Sequence, residues 1–597
     1  MPDHCRLAVP LRVPVLVSVL VLAGLLALLG GCAGVPAAGA PIAVRSLGAG
    51  DPGTDVPPNE VPSLPQRGDT PVETVQNFLD ASRQPAASYA AAKNFLRSDA
   101  RSSWPPEDTV VRVIEKSAEQ PVQVNPRTVR LTSTVVGGLS LTTGIYVPSR
   151  QPSLFDFTVE SVDGVPLITN PPPFVLLDSF YFSSVYRSHD VYFPRADGTG
   201  LVADRRWAPQ GDQATQVVRW LVGGPSPWLA PTVRTVIPSG TRVQGVVVRD
   251  GLNRTVDLSS EVEGTSLEDR KALAAQFALS LEPDLLGGSV RLTVNGKPYP
   301  VLNSDLQDPD RWASQIAGRD PQDQRPYYVD PVGDVRRLAL PDAPGESAGE
   351  ASGDTPALAH QAVSAAISVG RKSLAVVGAH PDGSRELRIG PASGSTSVRL
   401  TGTAIGRPSW ALDGSGVLVP VAGRLTWVPA DRGADTAAVQ LPDLDGAASV
   451  IAVRAAPDGV RLALVAKLGS ATRVYVGVLT AAGGQLTVVG LRNLLGTITN
   501  AVDVGWTRQT ELTVLIGGTG VTVPINRVTV DGLLLGRQEV DVAGAAAAAL
   551  AVVPNRIELA ELGGTLVRPG SSGWLSPSGG REVRGGQVPG HAPFYPG

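Results

Sequence analysis

Leu29-Gly30-Gly31-Cys32 is the place in this chain where residue types and spacing set up a definite reaction. These residues close an apolar run, Val13 to Leu29, that follows a short segment carrying Arg6 and Arg12. A basic start, a short apolar core and small residues before a cut site make a bacterial secretion signal. A Cys directly after Leu-Gly-Gly has the form of a lipobox. Residues 1–31 are then the signal peptide, and Cys32 becomes the new N-terminus, as an S-diacylglycerol and N-palmitoyl cysteine. Each buried methylene adds about 0.8 kcal/mol of membrane affinity, so two or more chains hold firmly. The expected location is the extracytoplasmic face of the cell membrane. The other cysteine, Cys5, lies in the signal, so the mature chain is expected to have no disulfide and no thiol chemistry.

The rest of the chain carries no comparable motif. Zinc sites need His, Cys or carboxylates at tight spacing, but His189, His360, His380 and His591 are far apart in sequence. No metal, cofactor or catalytic residue is expected. A hydrolase elbow needs Gly-x-Ser-x-Gly. Asp413-Gly414-Ser415-Gly416 has only a partial likeness and reads as a strand turn, as does Pro457-Asp458-Gly459. Gly198-Thr199-Gly200 starts a dinucleotide-like pattern, but Trp207 and Pro209 follow where that pattern needs a helix, so a hairpin turn is expected. Asp257 and Glu261 could form a carboxylate pair, yet Asp257 alternates with Val256 and Leu258 as a solvated strand face does. Trp207, Trp220 and Trp228 cluster. Trp220 reads as core, whereas Trp228, between Pro227 and Pro231, reads as an exposed loop residue and a candidate binding residue.

The elements that would position these residues belong to several domains, because 597 residues exceed one core. Hydrophobic residues make up 43% and charged residues 18%, so most of the chain is globular. Net charge is -4 and no basic block is present, so nucleic acid is not an expected partner. Residues 32–68 hold the modified Cys and an Ala, Gly and Pro-rich tether. An α+β domain is expected over 69–178. It opens on a capping box, Thr70 with Glu73, and Pro71 at the first helical position. A second helix near Ala86–Arg97 follows, then strands 109–114, 122–131, 139–147 and 154–162. This pattern resembles the NTF2-like cone fold.

A second α+β unit is expected over 186–318. Strands at 233–237 and 243–249, a capping box of Thr265 and Glu268, and a hairpin turn at Asn295-Gly296 mark it. From 325 to 590 helix signals vanish and a repeat takes over. Its copies are Ile367–Val377, Trp410–Val419, Ala455–Val465, Trp506–Ile516 and Leu550–Leu559, with starts roughly 43 to 51 residues apart. That is the spacing of a four-stranded propeller blade. Trp410 and Trp506 hold matching positions and read as blade core. Tyr327-Tyr328-Val329 and Val335–Leu340 are expected to supply strands to the last blade. The fold class is thus two α+β domains followed by an all-β propeller of five or six blades.

Taken together, these blocks resemble the actinobacterial lipoprotein LpqB family: lipobox, tether, NTF2-like region, GerMN domain and C-terminal propeller. The GerMN likeness rests on Asp190-Val191-Tyr192-Phe193, Leu221-Val222-Gly223-Gly224-Pro225 and Ile237-Pro238-Ser239-Gly240-Thr241. Val256-Asp257-Leu258-Ser259 and Val290 to Gly296 extend it. The resemblance implies a non-enzymatic, lipid-anchored accessory protein. Its implied partner is the extracytoplasmic region of an MtrB-type sensor histidine kinase, in a two-component system bearing on cell envelope and division. Only Cys32 carries a family role at residue level. One alternative is an envelope glycan- or lipid-binding lipoprotein with no signalling role. Another is an envelope hydrolase on a propeller scaffold.

Overall fold

Thr70 accepts the Glu73 N–H at 3.2 Å and Glu73 accepts the Thr70 N–H at 2.7 Å, closing the capping box that the sequence announces. The helix it starts runs Pro71–Ala81. The computed structural model describes residues 64–106, 109–115, 120–285, 287–318, 326–338, 361–494, 496, 498–518, 522–541, 546–552, 559–570, 573–575 and 588–596. The signal peptide, Cys32, the tether up to residue 63 and His360 lie outside the described residues.

The first helix buries Val75, Phe78 and Ala81. Phe78 meets Trp104 and Phe157 at ring distances of 5.2 and 6.1 Å. The helix expected over 86–97 stops at Lys93, and a separate short helix, Ser98–Ser103, follows. Between them the backbone is drawn to the sheet edge. Ile168 donates to Phe95 O and Arg97 donates to Ile168 O, at 2.8 and 2.9 Å. The sheet runs in the order 165–168, 146–162, 128–140, 110–114 and 175–178, with 122–125 paired to 128–140. Its pairs are antiparallel except 110–114 with 175–178. Two strands are shorter or longer than their apolar runs suggest. Pro126 interrupts the run at 122–131, and a turn at 141–145 interrupts the run at 139–147.

The second unit begins with a hairpin, Tyr186–Pro194 against Leu201–Pro209. Its turn holds Gly198 at φ 77° and Gly200 at φ 141°, conformations that favour glycine. The dinucleotide-like letters are therefore a turn. Strands 253–258 and 290–294 pair in parallel beneath the helix Leu267–Leu285. Leu273, Phe277 and Leu281 of that helix are fully buried. Its cap is Ser266, which accepts the Asp269 N–H at 3.1 Å, and not Thr265. The Thr265 hydroxyl instead bonds Val262 O and the Tyr299 hydroxyl, each at 2.8 Å. The strands expected at 233–237 and 243–249 reduce to Val248–Asp250 and single bridges from Val233 and Val243. Pro231 and Pro238 bracket the first of these segments and remove ladder donors there. Asn295-Gly296 forms the expected turn, with both φ angles positive.

The repeats form a ring of six sheets. Four sheets have four strands each, over 362–402, 409–438, 449–493 and 501–541. A fifth holds 547–551, 559–562, 565–570 and 573–575, with Val588–Pro589 added. The sixth joins the last strand, His591–Phe594, to Tyr327–Val329 and Val335–Arg337. Tyr327–Val329 therefore helps build a blade of its own, with the C-terminal strand, and is not an addition to the fifth. Arranging the sheets in a ring leaves only short, protected strand edges. The indole of Trp410 donates to Ala366 O at 2.9 Å and that of Trp506 to Arg454 O at 3.1 Å, each joining its inner strand to the preceding blade.

Phe594 fixes this closure by stacking on Tyr327 at 5.6 Å. Phe594→Ala is expected to cost about 3–5 kcal/mol, as buried Phe truncations do, read as a lower urea midpoint of tryptophan fluorescence.

Candidate functional site

Leu201 to Ala208 are buried without exception, on both faces of their strand. The hairpin to which they belong has only two strands, so sheet neighbours do not cover it. Other modules do. The Ala203 N–H donates to Gln509 Oε1 at 2.7 Å, and Arg461 donates to Ala203 O at 2.5 Å, both from the propeller. Gln509 also donates to Ala317 O at 2.5 Å. From the other side, Trp207 N–H donates to Gly144 O at 2.8 Å and Arg206 to Thr143 O at 2.7 Å, in the first domain. Trp220 closes over Gly144, where a Cβ would lie 2.4 Å from its ring.

Charge is buried in this seam, some of it in ion pairs and some held by neutral donors. Arg205 bonds Asp190 at 3.2 Å and Glu511 at 2.9 Å. Asp204 accepts Arg206 at 2.7 Å and both the N–H and the hydroxyl of Ser226. Asp531 accepts the Trp207 indole at 2.7 Å and the Thr529 hydroxyl. Burial pulls the Arg205 guanidinium down, but Asp190, Glu511 and Asp531 outweigh it and hold its pKa above the ordinary value. Burial pushes the Asp531 carboxyl up, against its bonds to Thr529 and Trp207 and the charge of Arg205. Asp458 and Arg461, in a blade turn against the hairpin, are fully buried and bonded at 2.7 Å.

A cavity of about 310 Å³ opens on the propeller axis. Each blade contributes to its wall, through Ala366, Trp410, Ala455, Trp506, Ala551 and Phe594. Gly318, at the end of the second unit, reaches its rim. Arg407 and Arg454 line it as well. Arg454 bonds both oxygens of buried Asp503, at 2.7 and 2.8 Å. Arg407 reaches Asp503 at 3.4 Å, Leu550 O at 3.1 Å and Pro593 O.

Comparison with known proteins follows the same three divisions. The family model for the LpqB N-terminal domain matches 64–183, and that for the LpqB beta-propeller domain matches 343–596. Between them, 190–300 matches the sporulation and spore germination (Germane) model. The chain belongs to the LpqB lipoprotein family. Lipoprotein LpqB of Corynebacterium jeikeium is 29% identical over 532 residues, 86% of each chain. That of Mycolicibacterium smegmatis is 27% identical over 621 residues, 98% of this chain and 100% of its own. The first GerMN domain of the sporulation protein GerM from Bacillus subtilis is 26% identical, covering 21% of this chain and 98% of that structure, with a TM-score of 0.18.

Within this LpqB-family chain, Trp228 is not on the free loop that its flanking prolines suggest. It is half-buried between the second unit and the propeller, with Arg492 4.5 Å and Arg461 5.7 Å from its ring. Its neighbours there are cationic and intramolecular. Trp207 and Trp220 also serve the seams between modules. Asp257 accepts the Thr293 hydroxyl at 2.7 Å and the Gly296 N–H at 2.9 Å, so it braces the hairpin. His189 and His591 sit in separate sheets, and His380 lies in the turn after the strand Ser373–Ala379. Among the described residues no group of His, Cys, Asp and Glu is arranged to hold a metal ion, and no helix is long and apolar enough to cross a membrane.

Arg407, Arg454 and Asp503 went unnoticed in the sequence. The available signal is a charge inside an apolar inner strand, as in Val453-Arg454-Ala455 and Val502-Asp503-Val504. For the seam, Arg205→Met is expected to destabilise by about 2–3 kcal/mol, because it leaves the partly buried Asp190 and Glu511 without their buried counter-charge. Urea unfolding of the full chain checks this, and an unchanged midpoint contradicts it.

Proposed function

We propose that this chain is a lipid-anchored, non-enzymatic accessory protein on the extracytoplasmic face of the cell membrane. It binds the sensor region of an MtrB-type histidine kinase and modulates that two-component system, with effects on cell envelope and division. Family membership and the Leu29-Gly30-Gly31-Cys32 motif support the anchor. The observation that carries the reading is the buried hairpin at 186–209, which joins both neighbouring modules by hydrogen bonds and ion pairs. The three modules thereby present surfaces at fixed spacing.

Fixed spacing matters for regulation. A binder shifts an equilibrium only by its difference in affinity for the two states. A locked body resists adapting its outline to both conformations of a kinase ectodomain, so it can favour one of them. A preference of about 1.4 kcal/mol changes the ratio of states tenfold. Acyl chains on Cys32 and the tether behind it would keep the body near any kinase in the same membrane, raising its effective concentration. Regulation of this kind needs binding and no turnover.

Crosslinking in cells tests it, with wild type compared to Cys32→Ala. The expected result is capture of the kinase by wild type, loss of capture by the variant, and direct binding between the purified chain and the kinase ectodomain. Absence of that direct binding, together with target-gene output unchanged on deletion, contradicts the proposal. Capture of cell-wall material alone, with the protein correctly anchored, points to the glycan-binding alternative.

A further inference from the structure

We propose that the cavity on the propeller axis is a binding site for one carboxylate group carried on an apolar body, held by Arg407 and Arg454. The charge count comes first. Two guanidinium groups line the cavity. One carboxylate, Asp503, answers both. That carboxylate has no capacity left for a ligand. Besides the arginines, it accepts the N–H groups of Val504 and Leu550, each at 2.9 Å. The next acid, Glu561, acts on Arg407 from further away and accepts the Ala592 N–H at 2.8 Å. The cavity wall therefore carries one positive charge beyond what Asp503 balances.

Arg407 is held under both burial and like charge. Burial, and after it the charge of Arg454, lowers its pKa to about 9. The group is still protonated at neutral pH, at a cost that an entering anion would relieve. A purely structural role accounts for less. Arg407 does tie three blades together through Leu550 O and Pro593 O. A neutral amide could donate to those carbonyls without the desolvation cost of a cation. The Nε–H groups of Arg407 and Arg454 make no hydrogen bond among the described residues. A charged donor of this kind suits a carboxylate oxygen.

The rest of the wall sets the ligand's body. Trp410, Trp506, Leu550, Val552 and Phe594 are apolar or aromatic. A volume of about 310 Å³ is at the small end of ligand sites, which run from about 300 to 1,000 Å³. It admits a small aromatic or branched acid, or the last residue of a peptide. A single surplus charge favours a monoanion over a phosphate dianion. This site does not depend on the kinase reading.

The test uses the full acylated chain in lipid nanodiscs, calorimetric titration and the fluorescence of Trp410 and Trp506. The probes are 3-phenylpropionate and its amide, and the tripeptide Ala-Ala-Phe with a free or an amidated C-terminus. At least one acid is expected to bind about tenfold or more tightly than its amide, and the tighter acid shows whether a free molecule or a chain terminus is the source. Arg407→Gln should weaken the acid about tenfold, ~1.4 kcal/mol, and Val552→Trp, which fills the cavity and keeps both arginines, should abolish binding. Equal binding of acid and amide, or no binding of either acid at millimolar concentration, overturns the proposal. If Arg407→Gln does not fold, the acid–amide comparison and Val552→Trp still decide.

Discussion

The strand Leu201–Ala208 of the hairpin Tyr186–Pro209 is buried on both faces, and the architecture follows from that burial. Two strands alone cannot shield their own backbone, and an unpaired buried N–H or C=O costs free energy. Here the outward-facing groups of the second strand are taken up by Gln509 and Arg461 of the propeller and by Gly144 of the first domain. Ordinary apolar docking would leave those groups unsatisfied. The seam is therefore polar, and it holds two sets of ion pairs: Arg205 with Asp190 and Glu511, and Arg206 with Asp204. Apolar packing fills the remaining space. Leu533 of a propeller turn enters the core of the first domain, and Val460 and Val478 enter that of the second.

Ring closure imposes the second constraint. Six inner strands meeting around an axis leave a space that side chains must fill or line. In this ring the small residues Ala366, Ala455 and Ala551 alternate with Trp410, Trp506 and Phe594. The large residues cannot fill the centre alone, and Arg407 and Arg454 extend around it. Asp503 holds both arginines in place, and its bonds to backbone N–H groups pin it in turn. The same residues that complete the ring thus create a polar point inside an apolar chamber.

Local rules carried much of the fold. The Thr70–Glu73 cap, the Asn295-Gly296 turn, the glycine turn at 198–200 and the blade repeat are all short-range patterns, and each is present. So are the roles of Trp410 and Trp506, which recur at the same point of the repeat. What escaped was long-range. Trp228 looks exposed beside Pro227 and Pro231 because nothing local reports Arg492, which lies far along the chain. The segments 233–237 and 243–249 read as strands from their valines, yet proline and tertiary packing leave all but the end of the second irregular. Ser266 competes with Thr265 for the same cap, and the choice falls to Tyr299, which claims the Thr265 hydroxyl. Arg454 was hidden for a related reason, since a lone charge in a strand looks like a solvent face until the ring closes around it, and Arg407 sits in a loop before its strand.

Amide hydrogen exchange of the full chain tests the locked-body account most directly. The N–H groups of Ala203 and Trp207 are bonded only across module boundaries, to Gln509 and to Gly144. The account predicts that both exchange as slowly as the inner strands of the blades. Fast exchange at these two positions, with the propeller still protected, would show that the modules move independently and would contradict it.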